Sequence, residues 1–405
     1  MKKIRGDTSK KSDHISSNVI ETRLCKGLKV KKIPGSFQHM KIVLIQLFGK
    51  GGAQLYISQL ATALSKTDKV IVILGDYLYE KSHYDSSTIN FHLVKTNRSY
   101  FLMIAKFLNP MTYINLKKII TKENPDVIHI VFEDVILGFL LLFLKNKYKI
   151  IITEHDPQLH EGEPLVNRLS FFLSRKISRN FSNAIIVHGQ NLKKQLVEKG
   201  VSDKKIFVVP HGDFSYYKKY SKTITEEKST ILFFGLIRDY KGLNFLINAE
   251  PLIASSIPDI KIIIAGNGDF SQYNALIKNP DHFEIHNRYI FDAEIADFFC
   301  RSAIIVLPYI NASQSGIIPI AYAFKKPVIV TNVGSIIEVV DDGKTGLIVP
   351  PKDSLALAKA IIMLLSNDSL RKEMGVNAYK KMQNEFSWEH IAHETIMVYK
   401  QSFTK

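Results

Sequence analysis

The chain has 405 residues, 46% of them hydrophobic, and that length favours two domains with cores of their own. Its formal net charge of +16 predicts an anionic partner: a phosphate ligand, an acidic membrane surface or nucleic acid. No nucleic-acid-binding signature with interleaved aromatics occurs, which argues against the last of these. Cys25 and Cys300 lie too far apart in sequence to suggest a disulfide framework, so a reducing, cytoplasmic setting is expected. The most apolar run, Val135 to Leu144, falls short of the roughly 20 residues that span a bilayer, and reads as a buried helix. The N-terminus carries charge without the apolar core of a secretory signal.

Residues 1–38 are basic and polar, lack periodicity, and read as a poorly ordered extension. Order is expected from Met40. Lys41–Leu47 reads as a strand, F-G-K-G-G-A-Q-L as a glycine loop, and Ala53–Leu64 as a helix, which together open a βαβ unit. The loop is not G-x-G-x-x-G, so no nicotinamide cofactor is implied. Gly52 is placed to offer its N–H to a phosphate or sugar at the helix start; a tight turn without ligand is the alternative. Strands follow at Val70–Leu74, Asp126–Val131, Lys149–Thr153, Ala184–Val187 and Ile206–Val209. Helices are expected over Phe101–Thr121, Asp134–Leu144, Leu165–Phe181 and Gln190–Lys199. Continuous β-branched runs alternating with helical stretches indicate parallel strands buried on both faces, hence a doubly wound α/β domain.

Pro210-His211-Gly212-Asp213 and the lysine-rich stretch Lys218–Lys228 read as the inter-domain linker. A second series then runs through strands at Thr230–Phe234, Lys261–Ala265, Phe283–His286, Ile304–Leu307, Pro327–Thr331 and Gly346–Val349. Between the first two strands, the loop G-L-I-R-D-Y-K-G carries Arg238 and Lys241. Two cations three residues apart before a helix suit a diphosphate, with Arg donating bidentate bonds and Lys acting as a point charge. Asn311–Gly316 is a polar loop of small residues that leads into an apolar helix at Ile317, so its backbone N–H groups can meet a phosphate. The cleft between the two domains is the default site.

Several motifs agree in order and spacing over about residues 40 to 402: G-K-G-G-A-Q, T-E-H-D, V-V-P-H-G, F-F-G-L-I-R-D-Y-K-G, I-A-G-N-G, A-S-Q-S-G-I-I-P-I-A-Y-A-F-K-K-P and E-V-V-D-D-G-K-T-G-L-I-V-P-P. Together they resemble the family 4 retaining glycosyltransferases of GT-B fold, in which two Rossmann-like domains face each other across a cleft. The resemblance implies residues 39–212 as acceptor domain and 213–385 as donor domain. Residues 386–405, around Trp388, would pack back on the first domain. It implies transfer of a hexose, with retention, from a UDP- or GDP-linked donor to a glycan or polyprenyl-linked acceptor, with no cofactor and no essential metal.

By the same resemblance, Arg238 and Lys241 grip the donor diphosphate, assisted by Ser315 and the N–H groups of Gly316 and Ile317. His155 hydrogen-bonds the hexose, and Arg288 and Tyr289 lie where relatives contact the base. The chain also departs from the family. Leu236 stands where many members carry Arg. Ser313 and Ala321 stand where many carry glutamates that hold the sugar and the ribose, which leaves Gln314 for the sugar and Glu338 as a candidate for the ribose. Asp341-Asp342 reads as a turn rather than a metal site. The expected role is surface-polysaccharide synthesis at the inner face of a membrane. A non-catalytic GT-B partner subunit and a nucleotide-sugar epimerase are the alternatives.

Overall fold

The computed structural model describes residues 39–49, 51–84, 88–96, 109–144, 146–156 and 165–404. The basic extension over residues 1–38 and the first part of the helix expected from Phe101 lie outside them. Two parallel sheets organise the rest. The first is built from β1 (Lys41–Gln46), β2 (Lys69–Gly75), β3 (Ile89–Val94), β4 (Val127–Ile130), β5 (Lys149–Thr153), β6 (Ala184–Val187) and β7 (Ile206–Val208), in the order β3-β2-β1-β4-β5-β6-β7. The second contains β8 (Thr230–Phe234), β9 (Lys261–Gly266), β10 (Phe283–Asn287), β11 (Ile304–Leu307), β12 (Val328–Thr331) and β13 (Gly346–Val349), in the order β10-β9-β8-β11-β12-β13. The expected pair of doubly wound domains is therefore present.

Strand composition explains this layering. Ile42 and Leu44 of β1 enter one core, while Val43 and Ile45 enter the core on the opposite face. The alternation of side-chain direction along a strand thus feeds two apolar layers from one uninterrupted β-branched run. β8 does the same with Leu232 and Phe234 on one side and Ile231 and Phe233 on the other. Helices Gly52–Leu64 and Trp388–Phe403 cover one face of the first sheet, and Pro110–Glu123 with Val135–Leu144 the other.

Some elements differ from the sequence reading. Within the described residues the helix expected from Phe101 starts at Pro110, because the Asn109 side chain accepts from Met111 N at 2.9 Å and proline occupies the first helical position. β3 and the helix Asp368–Glu385 were not expected. β3 is a half-exposed edge strand, and the helix buries few residues, so neither shows a long apolar run. Part of the expected linker is structured: Ser215–Tyr220 forms a short 3-10 helix whose Tyr217, with Phe214, enters the core of the second sheet.

The helix Trp388–Phe403 packs against Gly52–Leu64, with Trp388 and Tyr399 buried in the first sheet's core. Trp388 Nε1 donates to the Asp213 carbonyl at 2.9 Å, and its ring lies against Gly212, where an added Cβ would come within 2.4 Å of it. Trp388→Ala removes this packing and strands the carbonyl. It is expected to cost about 3–5 kcal/mol in chemical denaturation, and a loss below about 1 kcal/mol would contradict the packing role.

Candidate functional site

In a doubly wound sheet, a crevice opens at the carboxyl edge where successive connections leave in opposite directions. In the second sheet that point lies between β8 and β11, and in the first between β1 and β4. The loop after β8 carries Arg238 and Lys241, and the loop after β11 carries Tyr309 and residues 313–317. The two loops are stitched together. Gly242 has φ +67°, and a Cβ there would stand 1.9 Å from the Pro308 carbonyl oxygen. Ile310 N donates to the Tyr240 carbonyl at 2.8 Å.

Lys241 Nζ sits 3.7 Å from the centroid of the Tyr309 ring, a cation–π contact that holds the ammonium without neutralising it. Neither Lys241 nor the exposed Arg238 has a carboxylate partner among the described residues. Other arginines of this half are committed: Arg288 to Glu294, Arg301 to Glu227 and Glu284, and Arg371 to Glu226 and Asp368. Arg288 is therefore a fixed surface pair, while its neighbour Tyr289 stays exposed against Phe291 with ring centroids 5.2 Å apart.

The loop Asn311–Gly316 leads into the helix Ile317–Ala323 as expected. Ile317 N donates to Ser315 Oγ at 3.3 Å, so that N–H is already capped in this conformation. The Gln314 amide is half-buried and has no hydrogen-bond partner among the described residues. Ala321 is fully buried in the core, so no side chain from that position reaches the crevice. In the first sheet, Gly51 and Gly52 face open space at the start of their helix, leaving room for a ligand.

Polar contacts join the halves, His83 to Asp292 among them. Ser313 Oγ donates to Asp156 Oδ1 at 2.7 Å. Glu338 accepts from the N–H groups of Gln190 at 2.6 Å and Asn191 at 2.8 Å, capping the first turn of the helix Gln190–Glu198. In this structure both oxygens of Glu338, the candidate for the ribose, bond the first domain. Gly189 lies so close to Ser335 that an added Cβ would meet its Oγ at 2.4 Å.

Three histidines gather around Tyr56, a cluster the sequence reading did not assemble. The Tyr56 ring centroid lies 5.0 Å from His155, 5.3 Å from His188 and 5.0 Å from His211. His129 interacts electrostatically with His155 and is bonded at 2.7 Å to both Tyr399 Oη and Thr153 Oγ1. His155 is half-buried, and both ring nitrogens are engaged, by Val131 O and His188. In this conformation it has no nitrogen left for a sugar hydroxyl. The signal that was available is that His155 and His188 each follow a buried strand end; only the sheet order makes those ends neighbours.

Burial pushes the histidines towards the neutral form: His129 and His155 down to about 3, His211 to about 4, and His188 well below its usual value. Neighbouring imidazoles reinforce the shift at His129, His155 and His188. The stability that these rings contribute is present above the unfolded value of about 6.5 and is lost as pH falls towards the folded values. Asp134 behaves oppositely. Burial raises its carboxyl to about 7, although Oδ1 accepts from Leu137 N at 2.9 Å. Its favourable contribution is therefore present at low pH and lost as pH rises through about 7. Asp341 accepts from Lys381 Nζ at 2.7 Å and Asp342 from Ile348 N at 2.9 Å, both parts of a turn.

The comparisons with known proteins fit this architecture. The family profile Glycosyltransferase Family 4 matches residues 50–212, and Glycosyl transferases group 1 matches residues 228–367. Two parallel-sheet domains with a charged crevice at the second domain's switch point thus define a GT-B glycosyltransferase. The chain belongs to the family 4 glycosyltransferases. It is 28% identical to an uncharacterized glycosyltransferase of Methanocaldococcus jannaschii, over 89% of this chain and 98% of that one. It is 24% identical to the capsular polysaccharide biosynthesis glycosyltransferase CapM of Staphylococcus aureus, over 83% of this chain and 91% of that one. Among solved structures, Anabaena HepE in complex with UDP-glucose superposes with a TM-score of 0.67 at 16% identity, covering 89% of this chain and 100% of that one.

Asp134→Asn keeps a capping acceptor and removes the buried charge. Thermal melts should show Tm raised by about 2–4 °C at pH 8 and by clearly less at pH 5. An equal shift at both values would contradict the burial of that charge.

Proposed function

We propose that this chain transfers a hexose, with retention and without a metal ion, from a UDP- or GDP-linked donor to a glycan or polyprenyl-linked acceptor in bacterial surface-polysaccharide synthesis. The observation that carries the reading is the pair Arg238 and Lys241. They are two cations without carboxylate partners among the described residues, on the loop that borders the crevice of the second sheet. In the transition state the bond from sugar to diphosphate breaks and negative charge builds on the leaving phosphate. Fixed cations at that point bind this charge more tightly than the ground state, which lowers the barrier. The departing phosphate is the base that accepts the proton of the attacking hydroxyl. Ser313 and Ala321 leave no glutamate in the donor loop; Gln314, unengaged and half-buried, is the group left to bond the sugar. The likeness to a capsular polysaccharide enzyme and to a UDP-glucose-bound GT-B structure supports the choice of substrate class.

The acceptor side has its own support. A cavity of about 230 Å³ opens near the ends of β1 and β3, lined by Leu47, Thr96, Asn109 and Thr112 among others. Beside it, helices Pro110–Glu123, Val135–Leu144 and Leu165–Phe181 pack in a row and expose Met111, Leu142, Phe143 and Phe172, with Lys117 and Lys118 also exposed on the first of them. Apolar side chains beside lysines suit an anionic membrane surface that presents a lipid-linked acceptor. No helix among the described residues is long and apolar enough to cross a membrane.

Arg238→Ala and Lys241→Ala should each weaken UDP or GDP binding about 10–100-fold, the effect of losing a charge-assisted bond, and should do so equally for donors with different sugars. Arg288→Ala, whose guanidinium is tied to Glu294, should change it less than about threefold. Unchanged affinity in both of the first two variants would remove the diphosphate assignment. Release of nucleoside diphosphate from a donor panel should depend on added lipid extract; product formed without any acceptor would instead identify an epimerase.

A further inference from the structure

One line of hydrogen bonds crosses four strands at the carboxyl edge of the first sheet. β5 and β6 pair with Ile151 opposite Ala184 and Thr153 opposite Ile186. The same offset continues past the strand ends and sets His155 beside His188, with ring centroids 4.8 Å apart. His155 Nδ1 lies 3.0 Å from His188 Nε2. At the outer ends, His155 Nε2 meets the Val131 carbonyl at 3.0 Å and His188 Nδ1 meets the Val209 carbonyl at 2.9 Å.

Carbonyl oxygens only accept, so each outer nitrogen needs a proton. A neutral imidazole carries one N–H, and an imidazolium carries N–H on both nitrogens. Two neutral rings therefore spend both protons on the carbonyls, and the central contact sets two lone pairs face to face. Moving either proton inward repairs the centre and leaves a lone pair against a carbonyl. The three contacts need three protons, and two neutral rings hold two.

The surroundings decide when the third arrives. Tyr56 faces both rings from its helix, His129 lies behind on β4, and His211 stands 5.1 Å from His188 on the segment after β7. Asp156, next in the chain, is the acid that favours charge on His155, while Glu154 is bound to Arg179. Burial and the neighbouring imidazoles keep the pair neutral when nothing compensates the charge. Both histidines adjoin the seam: Asp156 bonds Ser313, and Gln190 bonds Glu338.

We propose that the His155–His188 pair takes up one proton when an anionic donor occupies the cleft, and then carries a single shared positive charge. This rests on the donor reading above. The proton comes from solvent and forms one N–H bond at the central contact; no other bond breaks. Donor anion and proton strengthen each other's binding reciprocally. His188 is a positioning residue, since it acts through His155.

Calorimetric titration of UDP-glucose and of GDP-mannose at pH 7, in two buffers of different ionisation enthalpy, counts the protons taken up. Neither diphosphate diester titrates near that pH. The unaltered protein should take up about one proton per donor bound. His188→Asn keeps an N–H donor facing His155 but cannot share a proton, so uptake should fall to near zero. Binding without proton uptake in the unaltered protein, or undiminished uptake in His188→Asn, overturns the coupling. Failure of both donors to bind overturns the donor reading, and the coupling with it.

Discussion

Parallel pairing is the constraint from which the rest follows. Every strand pair in both sheets runs parallel, so all strand ends of one polarity lie on one edge of each sheet. Strands buried on both faces carry few polar side chains, and most of the chemistry is displaced to the loops leaving that edge. Arg238, Lys241, Gln314, His155 and His188 all occupy such loops. Strand order then selects among them: β8 beside β11 brings the cation loop against the loop of Tyr309 and Ser313.

The two halves meet through polar groups as well as through Leu55, which enters the core of the second sheet. A hydroxyl-to-carboxylate bond at Ser313–Asp156 and a carboxylate-capped helix start at Glu338 are contacts that water can replace at modest net cost. Such seams allow a cleft to part and re-form around a ligand. Trp388 supplies the contrasting element. Its burial against Tyr56, with ring centroids 5.2 Å apart, ties the end of the chain to the first domain. It lies far in sequence from the strands it helps to cover.

Much of this was legible in the residues. Continuous runs such as Lys41–Leu47 and Thr230–Phe234 announced buried parallel strands, and the Gly235–Gly242 loop announced cations at a strand end. What the sequence withheld were relations between distant segments. Glu338 reads as an acid on a short helix; that it caps a helix more than a hundred residues earlier depends on how the halves dock. His188 reads as a histidine after a strand, and becomes a partner of His155 only through the register of β5 with β6. The edge strand β3 escaped because one exposed face dilutes its apolar pattern. The absence of glutamates at positions 313 and 321 was plain from the start, but only the fold shows Ser313 facing an acid from the other domain.

The central claim is that the crevice between β8 and β11 holds the diphosphate of the donor. A crystal structure of the protein grown with UDP tests it directly. The account predicts phosphate oxygens within about 3.2 Å of the Arg238 guanidinium and the Lys241 ammonium, beside the loop that begins at Tyr309. Density for the nucleotide anywhere else, with these two cations left in solvent, would contradict it.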